Sequence, residues 1–409
     1  ELAREEVPDI VSMAYSNKHF HFGPEYIIPK PFDPRVLMNV APAVAAAAMK
    51  SGVAQKPIAD LTAYRETLEA LNSNSRGFIR SVINRIRTKA SATKTEVPII
   101  IFPEGTSSKL LRALNTVLAE KIIRPVLLGY PDQVEAKIKE LELDDLKNVP
   151  IIHPSKHKNY ARYSEALFQL RQRKGILKSE ADRLMADPYY FSAMAVKMGD
   201  AHGLVSGATN NYANCVKPIL KIIGTGRGQT ATGMNMVLLE DKILFFADTT
   251  MNIDPTAEQL AYIALYVSKV AQYFNIEPRI AMLSYTNFTG QNGSPEKMQK
   301  AAKILREKYP ELIVDGEMQA DTAVNPDIIQ RLFPFSNIKN GANILIFPNL
   351  DAGNIAYKLV QQLSGAEVLG PFLLGTKQPA NVVQRTCTVN DIVNTIVLTS
   401  LEAQAYMEM

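Results

Sequence analysis

From residue 97 onward, short apolar runs alternate with stretches of helical periodicity. The spans 97–102, 126–128, 149–152, 203–206, 242–247, 279–284, 313–315 and 344–347 predict strands. Between them, 108–121, 132–141, 258–274, 297–308, an amphipathic stretch from Ile355, and 389–408 predict helices. Strands that alternate with helices, and that read as continuous apolar runs, belong to parallel α/β sheets buried on both faces. The first seventy residues differ. Pro29, Pro31 and Pro34 impose an extended course, a helix from Val36 stops near Ser51-Gly52, and no core of their own is evident. We read them as a mostly helical tail that packs on something else.

Composition agrees with a folded, soluble protein. The chain has 409 residues, 46% of them hydrophobic and 21% charged, with room for more than one compact unit. No run approaches the roughly 18 apolar residues that a membrane span requires. Two cysteines, Cys215 and Cys387, cannot build a disulfide framework, so a cytoplasmic setting is expected. The opening residues lack the basic and apolar parts of a signal peptide, and the missing initiator methionine leads us to expect a longer parent chain.

The net charge of +4 is modest, and part of it is local. Arg76, Arg80, Arg85, Arg87, Lys89 and Lys94 fall in a stretch without acids, where Ile79, Val82, Ile83 and Ile86 keep helical spacing. This predicts an amphipathic surface helix beside an anionic ligand or a domain contact. Few aromatics accompany it, so neither nucleic acid nor membrane is an expected partner.

The Gly224-Thr225-Gly226-Arg227-Gly228 passage has the look of a dinucleotide loop but is GxGxG, and residues 230–237 after it read as a strand. A turn accounts for it better. His153, His157 and His202 show no metal spacing, and no metal site is expected.

Four other segments carry a family resemblance. Gly203-Leu204-Val205-Ser206-Gly207-Ala208 with Lys217-Pro218 is similar to the phosphotransacetylase "GLVSGA…RP" pattern. Asn252 to Leu260, Glu277-Pro278-Arg279 and Met282 to Tyr285 continue it, and Asp315-Gly316-Glu317-Met318-Gln319 and Asn343 to Asn354 resemble the family's "DGE-Q" and "NVLIFPDLNAGN" segments. Phe22 to Arg35 and Val40 to Ala45 resemble the end of the malic-enzyme domain in the large bacterial malic enzymes, where the two halves are fused.

The resemblance implies two Rossmann-like α/β subdomains around a cleft, as in phosphotransacetylases and isocitrate dehydrogenases. Residues 1–72 would be the tail of the malic-enzyme domain and 73–95 a basic linker helix. Residues 96–227 with 374–409 would form one subdomain and 228–373 the other. NADP and the divalent metal would belong only to a malic-enzyme domain upstream of Glu1.

Transfer of an acetyl group between phosphate and CoA needs a base for the thiol and cations for phosphate and oxyanion. The family's closing "SRGCSVEDIV" supplies a serine, an arginine and an aspartate. Here it reads Gln384-Arg385-Thr386-Cys387-Thr388-Val389-Asn390-Asp391, so glutamine replaces the serine. Lys217 replaces the arginine of "RP", losing a bidentate fork. The loop Pro103 to Lys109 also lacks the acids and arginine of "PEG-DER".

From these departures we expect Gln384, Arg385, Asp391 and Lys217 to be family-equivalent positions without full catalytic competence. The resemblance assigns acetyl-CoA, as effector, to Arg385, Asp391, Lys217, Ser206, Gly207, Asn210 and Tyr285. Taken alone, Asp391 suits the first turn of a helix better than the part of a base, and Cys387 a packing position better than covalent catalysis. The expected partners are acetyl-CoA, a malic-enzyme domain of the same polypeptide, and further copies in a homodimer or larger homo-oligomer. Two alternatives stay open: a working phosphate acetyltransferase, and a purely structural oligomerisation module.

Overall fold

The computed structural model describes residues 2–4, 21–24, 26–30, 33, 35–58, 60–61, 64–65, 68, 79–80, 82–88, 96–226, 228–239 and 242–408. Contacts divide the chain into two compact units, Glu1–Arg76 and Gly77–Met409.

In the first unit a short π turn, Val36–Val40, leads into the alanine-rich helix Ala41–Lys50. Buried Asp33 sets its approach. Its carboxylate accepts from the backbone N and Nε of Arg35, both at 3.0 Å, and from its terminal nitrogen at 2.8 Å. The Arg35 guanidinium holds that carboxyl below its usual range. The helix stops where Ser51 closes onto Ala47 and Gly52 takes a φ of +75°. Pro31 and Pro34, expected to extend the chain before this helix, lie outside the described residues.

In the second unit, residues 79–80 and 82–88 are helical. Ile79, Val82, Ile83 and Ile86 are buried, while Arg80, Arg85 and Arg87 are exposed. Arg76, Lys89 and Lys94 of the basic stretch lie outside the described residues.

Two sheets follow. The chain forms β1 (Ile99–Phe102), β2 (Arg124–Leu128), β3 (Ile151–Ile152) and β4 (Gly203–Ser206). It then passes to β5 (Thr232–Leu238), β6 (Ile243–Ala247), β7 (Arg279–Leu283), β8 (Ile313–Met318), β9 (Ile344–Ile346) and β10 (Glu367–Leu374), and returns with β11 (Ala380–Val382). The first sheet has the order β11-β4-β1-β2-β3 and is parallel throughout. The second has the order β10-β5-β6-β9-β7-β8, parallel from β6 to β8 and antiparallel at β10, β5 and β6. All seven residues of β5 are buried, as are the four of β4, which explains their largely apolar character, with Thr232, Asn235 and Ser206 the polar exceptions.

Helices cover both sheets. Ser108–Glu120 packs on Val389–Met407, and Ala257–Tyr273 packs on Ser294–Lys308 and the second sheet. Leu111, Leu114, Ile392 and Ile396 are fully buried at the first of these contacts, each worth about 1.5–3 kcal/mol relative to exposure. The long apolar helix predicted over 389–408 is therefore a core element. Among the described residues no helix is long and apolar enough to cross a membrane.

The two passages between the sheets run side by side. Thr225 and Thr376 form an antiparallel bridge, and the Lys377 amide donates to Gly224 O at 2.9 Å. The glycine-rich passage supplies this crossing, with Gly224 and Gly228 at φ of +69° and +73°, and it leads into β5 rather than into a helix. Beside the crossing lies a cavity of about 260 Å³, to which Tyr266, Lys269, Tyr273, Lys377, Glu402 and Tyr406 all contribute. Fully buried Asn381 donates from Nδ2 to Glu402 at 2.9 Å and accepts from the Leu373 amide at 3.0 Å, tying β11 to the end of β10. Burial pushes the Glu402 carboxyl up to about 8, and the Asn381 amide works against that rise.

Candidate functional site

In the first sheet the strand order turns around between β1 and β4, since β2 and β3 lie on one side of β1 and β4 and β11 on the other. Such a switch point opens a crevice at the carboxyl ends of the strands. Glu104, two residues beyond the carboxyl end of β1, is 7% exposed. Its carboxylate accepts from the amides of Gly207 (2.8 Å), Ala208 (2.9 Å) and Thr209 (2.8 Å), from the Thr209 hydroxyl (2.6 Å) and from the Tyr189 phenol (2.9 Å). The loop after β4 is thus wrapped around one buried carboxylate. Burial and the neighbouring Glu104 both push the Tyr189 phenol up, so it remains a donor.

Gly207 could not be another residue without movement. Its φ is +108°, and a Cβ there would stand 2.1 Å from Val383 O. This lets the loop after β4 press against the end of β11, from which Gln384 and Arg385 emerge. Lys109 fixes that segment from the other side, donating from Nζ to Cys387 O at 2.7 Å.

The second sheet repeats the device. Asp248, after β6, accepts from the amides of Gly233, Thr250, Met251 and Asn252, at 2.8–3.1 Å, and so shapes the loop that carries Thr250. Gly353, whose Cβ would meet Asp248 O at 2.1 Å, brings the start of helix Leu350–Ser364 against this loop. Glu317 accepts from the Thr286 hydroxyl and from the amides of Thr289 and Gly290. The "DGE-Q" residues therefore hold loops at strand ends.

Two adjoining depressions result. One, of about 400 Å³, is lined by Tyr212, Thr250, Leu350, Asp351, Asn354, Ile355 and Gln384. The other, of about 500 Å³, has Arg171, Lys217 and Lys221 around an apolar floor that includes Val216, Leu220 and Met251. Tyr212 and Thr250 line both.

The expected site residues are distributed unevenly over this surface. Gln384 lines the first depression and Lys217 the second. Arg385 is exposed and makes no hydrogen bond or ion pair among the described residues. Asp391 closes a capping box: its Oδ2 accepts from the Thr388 amide (2.8 Å) and hydroxyl (2.9 Å) at the start of helix Val389–Met407. Ser206 is buried at the end of β4. Asn210 Oδ1 accepts from the Asn211 amide at 2.9 Å and the Asn214 side chain at 3.2 Å, shaping the turn into helix Tyr212–Ile222. Tyr285, 70% exposed after β7, lines neither depression.

Tyr212, Thr250, Asp351 and Asn354 join the surface without having been singled out from the sequence. Asp351 and Asn354 close the quoted "NAGN"-like segment, a signal that was present. Tyr212 and Thr250 carry no pattern of their own.

The remaining candidates are structural. His202 Nδ1 accepts from the Ile99 amide at 2.9 Å, His157 lies edge-on to Phe191, and His153 edge-on to Tyr130. Burial lowers the pKa of both His157 and His202. Burial also pushes the Cys215 thiol up to about 12 and that of Cys387 to about 11, which disfavours a thiolate at either. Among the described residues no group of three or more His, Cys, Asp or Glu could hold a metal ion.

Residues 81–400 match the phosphate acetyl/butaryl transferase family. The NADP-dependent malic enzyme of Escherichia coli (strain K12) is 36% identical over 410 residues, which cover 99% of this chain and 53% of that protein. The chain thus spans about half the length of the malic enzymes it matches. The phosphate acetyltransferase of Bacillus subtilis (strain 168) is 38% identical over 306 residues, covering 74% of this chain and 94% of that protein. A phosphotransacetylase structure from Streptococcus pyogenes superposes with a TM-score of 0.75 at 34% identity, over 80% of this chain and 99% of that one. With the match extending from the helix before β1 into the last helix, the chain belongs to the phosphate acetyl/butaryl transferase family.

Proposed function

We propose that this chain is a regulatory, acetyl-CoA-binding and catalytically degenerate phosphotransacetylase-like region of an NADP-dependent malic enzyme. In that reading it controls the conversion of malate to pyruvate and CO2 from a distance. The observation that carries it is the pair of adjoining depressions, with Gln384 in one and Lys217 in the other. They offer a long ligand a cationic, apolar-floored half and a polar half that includes the Asp351 carboxylate. The hydrogen bonds from Thr388 engage one oxygen of Asp391 in capping helix Val389–Met407, which gives that carboxylate a structural role.

Calorimetric titration of the chain with acetyl-CoA tests the reading. Arg385→Ala is expected to weaken binding by about 1–3 kcal/mol through loss of a charged hydrogen bond. Unchanged affinity would remove Arg385 from the site. In the same preparation, formation of acetyl-CoA from acetyl phosphate and CoA should stay far below the roughly 1–1,000 per second of ordinary enzymes. Turnover within that range would favour the working transferase, which retained Arg385 and Asp391 support.

Regulation rests on linkage. A ligand shifts an equilibrium only by its differential affinity, and a coupling of about 1–3 kcal/mol would change apparent malate affinity roughly 5- to 150-fold. Malate oxidation by the full-length parent, with and without acetyl-CoA, should therefore differ, and a version lacking this chain should not respond. A response in both would place the effector elsewhere. The oligomerisation reading has support of its own: helix Leu350–Ser364 exposes Ile355, Leu359 and Leu363 at four-residue spacing, an apolar stripe suited to a second copy.

A further inference from the structure

The two depressions differ in chemistry in a way that bears on which part of a ligand each can hold. The larger presents Arg171, Lys217 and Lys221, although the Arg171 guanidinium is already tied to the carbonyls of Lys221 (2.6 Å) and Leu220 (3.4 Å). Among the described residues no cation lines the smaller. Its polar groups are the Gln384 amide, the Tyr212 and Thr250 hydroxyls, Asn354, whose Nδ2 is committed to Thr249 O at 3.0 Å, and Asp351. Such a lining disfavours a phosphate, which would meet the Asp351 carboxylate without a compensating charge. It suits a neutral acceptor.

Two donors are available to one. The Tyr212 phenol and the Thr250 hydroxyl are buried and make no hydrogen bond of good geometry among the described residues. Buried hydroxyls without partners are costly unless something supplies an acceptor. Gln384 adds an amide on the same wall, at the position where the sequence departs from the serine of the family. Burial pushes the Tyr212 phenol up to about 12, with the neighbouring Thr250 hydroxyl working against the rise, so it stays a donor across the physiological range.

We infer that Tyr212, Thr250 and Gln384 form an acyl-recognition pocket that hydrogen-bonds the thioester carbonyl and distinguishes an acyl-CoA from free CoA. The inference rests on the acetyl-CoA reading and adds its specificity. The cationic depression holds the phosphorylated part, common to both ligands. The hydroxyls and amide of the other pocket test for the thioester carbonyl that only the acylated form carries. Glutamine serves this purpose where serine would not, because its longer amide donates a hydrogen bond without offering a hydroxyl for chemistry.

The experiment is a titration of the full 409-residue chain with acetyl-CoA, free CoA and acetyl phosphate, repeated for Tyr212→Phe and Gln384→Ala. Tyr212→Phe removes one oxygen and keeps the ring. The wild-type chain should prefer acetyl-CoA over CoA by about tenfold, the size expected from one or two net hydrogen bonds. Each variant should bring acetyl-CoA towards the affinity of CoA and leave CoA unchanged. Acetyl phosphate should compete with neither. Equal wild-type affinity for acetyl-CoA and CoA overturns the pocket while leaving the ligand reading intact, as does equal weakening of both ligands in the variants. Failure of the wild type to bind acetyl-CoA at all overturns both.

Discussion

Glu104→Gln should lower the unfolding free energy of the second unit by about 3–5 kcal/mol, the usual cost of breaking a buried charged network. The carboxylate accepts five hydrogen bonds, three of them from consecutive backbone amides of the loop after β4. An amide has one oxygen and one NH2. Whichever way the substituted side chain is turned, a donor faces donors, and at least one buried N–H loses its partner at about 1–3 kcal/mol. The volume hardly changes, so packing cannot explain the loss. Urea unfolding of the two proteins, followed by far-UV circular dichroism, gives the number. A difference below about 1 kcal/mol would show that the loop is held by other means. Because the same amides position Gly207 against Val383, the acetyl-CoA binding proposed above should weaken as well.

Glu402→Gln should act in the opposite direction, and only at higher pH. The Glu402 carboxyl has its folded pKa raised to about 8 from an ordinary 4.5. Between those values the unfolded chain has released the proton and the folded chain still holds it. The neutral carboxyl therefore supports the fold fully below the unfolded pKa, and this support is lost as pH rises towards 8. Lys269, Tyr266 and Tyr273 from one helix, Lys377 from the crossing and Tyr406 from its own helix share the cavity with it. Glutamine cannot ionise and can still accept from Asn381. The variant should match the wild type at pH 4 and exceed it by about 2–3 kcal/mol at pH 9, after allowance for partial exposure. Parallel stability curves from pH 4 to 9 would show that the carboxyl titrates normally.

Much of the α/β pattern was legible because parallel strands buried on both faces have few polar residues to obscure them. β4 was read to the residue at Gly203–Ser206, and β1, β2 and β7 to within two. Region 153–202 was not read. Helix Pro188–Lys197 buries every residue from Tyr190 to Val196, so no 3.6-residue stripe exists to be seen. Helix Tyr160–Arg171 buries Ser164 beside Tyr163 and Leu167, which interrupts the apolar pattern. Helix Tyr212–Ile222 was hidden by Pro218 in its interior, and β10 by Gly370-Pro371 in its middle. The amphipathic helix expected from Ile355 begins at Leu350, capped by Asn349, and the strand expected over 313–315 continues to Met318.

The site was legible in its substitutions and not in its supports. Gln384 and Lys217 stand out because they break a pattern. Glu104 had been noticed only as part of a loop lacking other acids. Its importance lies in a distance relation, 103 residues to Gly207, that no local spacing expresses. Tyr212 and Thr250 meet for the same reason, brought from a helix of the first sheet and a loop of the second.

The bridge between Thr225 and Thr376 has a consequence for how the protein is made. Everything from β5 to β10 is inserted between β4 and β11, so the first sheet waits for its last strand until the whole of the second sheet has been synthesised. Until then β4 is an open edge, and the apolar face that receives Val389–Met407 has no cover. The adjacent ends of the insertion mean that, once β5 to β10 have folded, β11 is delivered beside β4 with little further search. Ribosome-bound chains in which residue 374 has cleared the exit tunnel but β11 has not should accordingly have a folded second sheet and a first sheet that depends on chaperones.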